Sequence, residues 1–172
     1  MTAASPSIDS NVNMAGHHTL MVIKDFPGFS KFVTDAIDLK RLEFTVGHGN
    51  EGGAGERATS GRLALGGMIL IKNVDKSTPL FYQALTQNTT IKEIGIFLYR
   101  NGPKDGKPEN WMTVTLTNAI VANQKFTDPD KEKGEESVPI EELTFHCEKL
   151  EISHNPAKKV ASYQFTIGGK VS

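Results

Sequence analysis

The chain has 172 residues, enough for one domain with a real core. Its 19 basic residues nearly balance 20 acidic ones, so charge gives no reason to expect nucleic acid as a partner. Hydrophobic residues make up 38%, and no apolar run approaches spanning length, so no membrane insertion is expected.

Residues 1–18 are small and polar, without a basic start or an apolar stretch. That composition predicts a flexible N-terminal arm rather than a Sec-type signal peptide. Thr19 to Lys24 is β-rich and ends at the turn Asp25-Phe26-Pro27-Gly28. Ile37 to Val46 predicts a second strand. Its apolar phase runs Ile37, Leu39, then Leu42, Phe44, Val46, and that slip predicts a β-bulge near Lys40 and Arg41. Residues 47–61 are glycine-rich and have no side-chain mass to pack, so a flexible loop is expected there. Leu63 to Val74 resumes as one strand, apolar on both faces around Met68 to Ile71.

The stretch Val74 to Thr86 predicts the single helix, at about residues 78–87. Thr78 is the expected N-cap, with Pro79 at the first helical position and Asn88 closing the C-terminus. Leu80, Phe81, Ala84 and Leu85 share one face, which a lone helix among strands must bury against a sheet.

Beyond the helix, Ile94, Ile96 and Leu98 alternate with Gly95, Phe97 and Tyr99 on the other face. Asn101 to Asn110 reads as a hairpin connection. Trp111 to Thr117 places Met112, Val114 and Leu116 inward, and the pattern continues through Ile120 and Val121 to Phe126. Thr127 to Glu142 is polar and acidic, a solvated loop by default. Leu143 to Ile152 is a long strand whose phase shifts between Cys147 and Leu150, read as a second bulge. Val160 to Ile167 can supply a last strand. The sum is a mainly β fold: a two-sheet antiparallel barrel or sandwich over residues 19–155, with one short helix packed on its side. Residues 156–172 form a C-terminal extension.

Candidate chemistry is sparse. Gly47-His48-Gly49-Asn50-Glu51-Gly52 matches GxGxxG after a strand, but Gly53-Ala54-Gly55 are poor helix starters and no parallel βαβ unit follows. His17 and His18 are adjacent, His48 lies in the loop, and His146 and His154 lack ligand-like neighbours, so no metal site is expected. His146 reads as a surface or interface residue. Glu135, Glu136, Glu141 and Glu142 lack an apolar setting to separate their pKa values and read as a solvated acidic face. The single cysteine, Cys147, shares parity with Leu143 and Phe145 and reads as a buried small hydrophobe; alone it forms no internal disulfide, which fits a reducing compartment. Asn88-Thr89-Thr90 matches a glycosylation sequon, which carries no meaning without a secretory signal. No catalytic grouping and no cofactor follow from these residues.

The order of landmarks resembles Hcp, the haemolysin-coregulated tube protein of bacterial type VI secretion systems. Val22-Ile23-Lys24-Asp25-Phe26-Pro27-Gly28 is similar to the family's I-x-G-I-x-G turn. Asp75-Lys76-Ser77-Thr78-Pro79-Leu80-Phe81-Tyr82-Gln83-Ala84-Leu85 resembles D-x-x-[ST]-P-x-L-x-x-A-L. Its structural positions are Asp75, Ser77, Thr78, Pro79, Leu80 and Leu85. Thr115-Leu116-Thr117-Asn118-Ala119-Ile120-Val121 resembles T-L-x-N-A-x-V, and Leu143 to Ile152 resembles L-x-F-x-x-x-K-I-E-W. The resemblance covers about residues 19–155. Ile152-Ser153 and Thr45-Val46 depart from the family's pattern, and both termini are long, as in a divergent member.

The resemblance implies a non-enzymatic tube subunit. Copies form hexameric rings, rings stack into a tube inside a contractile sheath, and contraction expels the tube with its spike. Implied partners are the chain itself, the spike protein, sheath and baseplate, and effector cargo. Implied localisation is the bacterial cytoplasm during assembly, then the exterior or a target cell. Open strand edges would pair between neighbours in a closed ring. The candidate stacking segment is Gly47, His48, Gly49, Asn50, Glu51, Gly52, Gly53, Gly55, Glu56 and Arg57. Two rival readings are the tail-tube protein of a phage-like injection particle and a small-ligand carrier with a closed barrel.

Overall fold

The computed structural model describes residues 6, 8, 16–28, 30–48, 63–102, 106–128, 138–155 and 161–166. The strands are β1 (His18–Val22), β2 (Ile37–Glu43), β3 (Val46–His48), β4 (Leu63–Leu65) and β5 (Met68–Asn73). After the helix α1 (Thr78–Thr86) come β6 (Ile91–Asn101), β7 (Pro108–Thr127), β8 (Ile140–His154) and β9 (Ala161–Thr166).

The sheet runs β5-β2-β1-β6-β7-β8-β9, and β5 also pairs with β8. That last pairing, Met68 with Phe145 through Asn73 with Ile140, closes six antiparallel strands into a barrel. Long β8 serves two neighbours in succession. Its first half pairs β5, and Lys149–His154 pairs β9. Closure removes the open edges expected from the sequence for these six strands. Among the described residues, free edges remain on the outer side of β9 and on the small β3–β4 ladder.

The barrel interior is filled by side chains from every wall: Met21, Ile37, Met68, Leu70, Ile94, Ile96, Val114, Leu116, Leu143 and Phe145. Alternation along each strand explains this, since every second residue faces in. Leu20, Phe97 and Tyr99 take the opposite parity and form a second cluster on the outer wall. Phe32 and Val33 of the β1–β2 connection and Ile8 of the N-terminal arm cover it. Tyr99 donates from its hydroxyl to the Pro6 carbonyl at 2.6 Å.

Two expected strands are interrupted. Ile37 to Val46 breaks at Phe44-Thr45, and Leu63 to Val74 breaks at Gly66-Gly67. The Gly66 N–H donates to the Thr45 carbonyl at 2.8 Å, so the two breaks face each other. The chain there leaves the barrel as a separate hairpin, β3–β4. A side chain at Gly67 would strike Thr144 Cγ2 at 2.6 Å, which explains the glycine at the junction.

The bulge at Lys40 is present: register shifts between Leu39 and Arg41. The one expected between Cys147 and Leu150 is not. Ile91, Ala119 and Cys147 lie in one row across β6, β7 and β8, and Ile94, Leu116 and Leu150 in another. All three strands reverse their pleat together, with no residue inserted. On β7 the reversal falls at Asn118, with φ of 49°, and its amide donates to Glu148 at 2.7 Å. The true irregularity between β7 and β8 falls between Val121 and Asn123.

The helix matches its expected face. Phe81 and Ala84 are buried, and Phe81 lies 5.3 Å from Phe26 and 6.0 Å from Phe145, ring to ring. Asn88 has φ of 49°; its N–H donates to the Leu85 carbonyl and that of Thr89 to the Ala84 carbonyl. This pair of bonds is a Schellman closure. The N-cap, however, is Ser77 rather than Thr78, and Thr78 is the first helical residue.

Candidate functional site

The displaced cap has a cause. Thr78 is committed elsewhere: its hydroxyl donates to Glu141 Oε1 at 2.8 Å and accepts the Asp75 N–H at 3.1 Å. Asp75 turns the chain before the helix, with Oδ1 accepting both the N–H and the hydroxyl of Ser77. The same oxygen accepts from Lys72 Nζ at 2.8 Å.

Lys72 is fully buried, and so is Glu141. They are direct cross-strand partners on β5 and β8, the seam that closes the barrel, and Nζ lies 2.5 Å from Oε1. The ammonium has three protons, and Asn73 O, Asp75 Oδ1 and Glu141 Oε1 accept them. Gln124 on β7 donates to Glu141 Oε2 at 2.5 Å and to the Thr78 carbonyl at 3.3 Å. One ion pair thereby ties together β5, β8, β7 and the first turn of α1. Glu141 is therefore no part of a solvated acidic face: both its oxygens are occupied inside the protein, as a buried carboxylate requires. Glu135 and Glu136 lie outside the described residues.

Strand directions define two barrel ends. At one end lie the close of β5, the start of β8, α1 and the start of β6. The β6–β7 connection lies at the other, and β2 and β5 hand the chain to the β3–β4 hairpin in that direction. Gly47 and His48 stand at the base of this hairpin, opposite Ala64 and Leu63. Gly49, Asn50, Glu51, Gly52, Gly53, Gly55, Glu56 and Arg57 lie outside the described residues. Because β3 and β4 are antiparallel, the segment returns on itself. It cannot be the first turn of the parallel unit that a dinucleotide site needs.

Of the remaining sequence candidates, none joins another in a reactive group. His146 is exposed. Cys147 is buried, and burial pushes its thiol up to about 11, with a backbone hydrogen bond from Lys149 opposing. Such a thiol is inert as a nucleophile. His17 leans toward Trp111 while His18 packs on Phe32, so the adjacent histidines diverge. No metal-binding group of His, Cys, Asp and Glu exists among the described residues. Sequence reasoning missed Lys72 and Gln124. It also missed Trp111, which carries Arg100 5.6 Å over its ring and His154 at 6.2 Å. The signal for Lys72 and Glu141 was parity: each shares a face with apolar neighbours, Met68 and Leu70, or Leu143 and Phe145.

The family model for the type VI secretion system effector Hcp matches residues 21–154. The fold is similar to that of Hcp1 from Salmonella typhimurium, at 10% identity and a TM-score of 0.72, covering 91% of this chain and 100% of that one. A type VI secretion system effector from Yersinia pestis is similar at 14% identity, TM-score 0.67, over 87% and 99%. The secreted protein Hcp3 from Pseudomonas aeruginosa follows at 16%, TM-score 0.63, over 86% and 96%. No curated protein matches the sequence. The structural likenesses speak for the barrel alone; the family match spans that barrel from β1 to the end of β8. The chain belongs to the Hcp family of type VI secretion system tube and effector proteins, a structural and non-enzymatic family.

Proposed function

We propose that this chain is the repeating subunit of a hexameric ring, and that rings stack into the inner tube of a contractile secretion machine. The observation that carries this is the family match over the whole barrel. The fold supports it in two ways. The outer edge of β9 offers backbone groups that a neighbouring copy can pair. The β3–β4 hairpin, from which the glycine-rich segment starts, is a separate two-stranded ladder outside the barrel sheet.

Assembly takes place in the bacterial cytoplasm, and sheath contraction carries the tube outward or into a target cell. The spike protein, sheath and baseplate, and effector cargo are the partners in this scheme. A carrier of small ligands is disfavoured because the barrel interior is occupied by packed side chains.

Light scattering on the purified protein tests the ring. Six times the 18.8 kDa of one chain is expected at tens of micromolar; a strictly monomeric mass overturns the reading. Shortening residues 47–61 is expected to leave rings intact in electron micrographs and to reduce their stacking. Loss of the rings themselves would assign the segment to lateral contacts instead.

A further inference from the structure

We propose that residues 6–8 are a strap over an apolar docking face on the outer wall of the barrel, and that this strap keeps the face from capturing a second copy of the chain. The inference stands apart from the ring reading, because the face, the strap and their contact all lie within one subunit.

The face follows from parity. Along β1 and β6 the residues that point away from the interior are Leu20, Val22, Phe97 and Tyr99, where a solvated wall would carry polar side chains. Leu20 stands directly opposite Phe97 in the register. Leu20, Phe97 and Tyr99 are at most 3% exposed, so something outside the barrel covers them.

Two segments do so, and they are held very differently. The β1–β2 connection lays Phe32 and Val33 on the face. It is pinned by its own bonds: Ser30 Oγ accepts the Phe32 N–H at 3.0 Å, the Gly28 N–H donates to the Asp35 carbonyl at 3.0 Å, and the Ala36 N–H to the Val33 carbonyl at 3.3 Å. The arm contributes the Ile8 side chain and the Pro6 carbonyl, which accepts the Tyr99 hydroxyl at 2.6 Å. Beside Pro6 a recess of about 410 Å³ persists, lined also by Val22, Ile23, Pro27, Val33 and Asp35, so the strap does not fill its bed.

The tether to the strap is slack. His18 of β1 pairs with Tyr99, and Pro6 returns to the same Tyr99, although residues 7–17 between them could reach roughly 36 Å if extended. A tether that long does not force the contact, so the face itself selects Pro6 and Ile8. What it recognises is a short apolar segment that offers a backbone carbonyl to the Tyr99 hydroxyl. With the strap lifted, two aromatic side chains and Leu20 would gain exposure. Aromatic side chains bury about 150–250 Å² each, enough for such a patch to become an association surface. A second copy presents the same patch, and like faces can meet across a two-fold axis.

Deletion of residues 1–15 tests the strap, read against wild type by light scattering, a hydrophobic dye and a labelled synthetic peptide of residues 1–16. The family match begins at residue 21, so the deletion leaves the matched barrel whole. The deletion chain is expected to melt cooperatively, to bind more dye, and to reach about twice the wild-type mass at equal concentration. The peptide should bind it saturably and return it to the wild-type mass. It should bind wild type about tenfold more weakly, since the tethered strap competes at high local concentration. A deletion chain with wild-type mass and dye binding overturns the proposal. So does a peptide that binds both chains equally, which would place its site elsewhere. Should the deletion chain fail to fold, full-length Ile8→Ser decides. Raised dye binding that the peptide reverses supports the strap, and wild-type dye binding overturns it.

Discussion

Lys72 and Lys76 stand four residues apart on either side of Asp75, and each holds a carboxylate. Lys72 meets Glu141 with neither side chain exposed. Lys76 meets Asp35 with both more than half exposed. Distance barely separates the two pairs, 2.5 against 2.7 Å, so geometry does not rank them. Solvent does. Around Lys76 water already solvates both charges, and the pair adds little. Around Lys72 water is gone, and every proton of the ammonium depends on a protein acceptor. The buried pair is also placed where its loss spreads furthest, on the seam between β5 and β8 and under the first turn of α1.

The largest effect should come from breaking the buried pair on one side. Lys72→Ala leaves Glu141 charged and dry, and should cost about 3–5 kcal/mol in denaturant unfolding. Replacing both partners, Lys72→Met with Glu141→Leu, should cost far less than the single change. If the double variant is as unstable as the single one, the pair acts through something other than charge complementarity. The next effect belongs to Thr78. Thr78→Val keeps the shape but removes a donor to Glu141 and an acceptor for the Asp75 N–H. A loss of about 1–3 kcal/mol is expected. Thr78→Ser, which restores the hydroxyl, should recover most of it.

Much of this architecture was legible in the sequence. Period-two alternation located β6, β7 and β8, and the face shared by Phe81 and Ala84 located the helix. Closure was not legible, because Met68 and Phe145 are far apart in the chain and nothing local says that they pair. The breaks at Phe44-Thr45 and Gly66-Gly67 were hidden for a related reason. Each looks like continuous strand until its partner is known. The shift from Cys147 to Leu150 shows the limit most clearly. One strand read alone cannot distinguish an inserted residue from a pleat reversal that its neighbours share. Asn118 was the available hint, since asparagine tolerates a left-handed backbone. Charge misled where parity did not. Glu141 sits in an acidic stretch, yet it alternates with Leu143 and Phe145, and the barrel buried it with them.

Cys147 extends the contrast between dry and wet groups to a neutral one. Burial raises its thiol to about 11. At neutral pH the folded and unfolded chains both hold the proton, and the group has no effect. Above the ordinary thiol value near 9, the unfolded chain releases the proton that the folded chain keeps. The unfolded state then binds fewer protons, so stability falls as pH rises from about 9 toward 11. Cys147→Ala should flatten that part of the profile. An unchanged slope would show that lysine or tyrosine titration causes the alkaline loss. The same burial predicts that alkylating reagents label Cys147 in denaturant and leave it untouched in the native protein.

The smallest expected effect is at Lys76. Removing an exposed partner of an exposed pair should change the stability of the isolated subunit by less than about 1 kcal/mol. That near-silence makes Lys76→Ala useful. Lys72 is held inward by three acceptors and has nothing left to offer a partner, whereas Lys76 lies on the surface with its charge in water. A subunit that melts like wild type but stacks poorly would place the value of this lysine between rings rather than within one. If stacking is also unchanged, Lys76 does no more than solvate the surface.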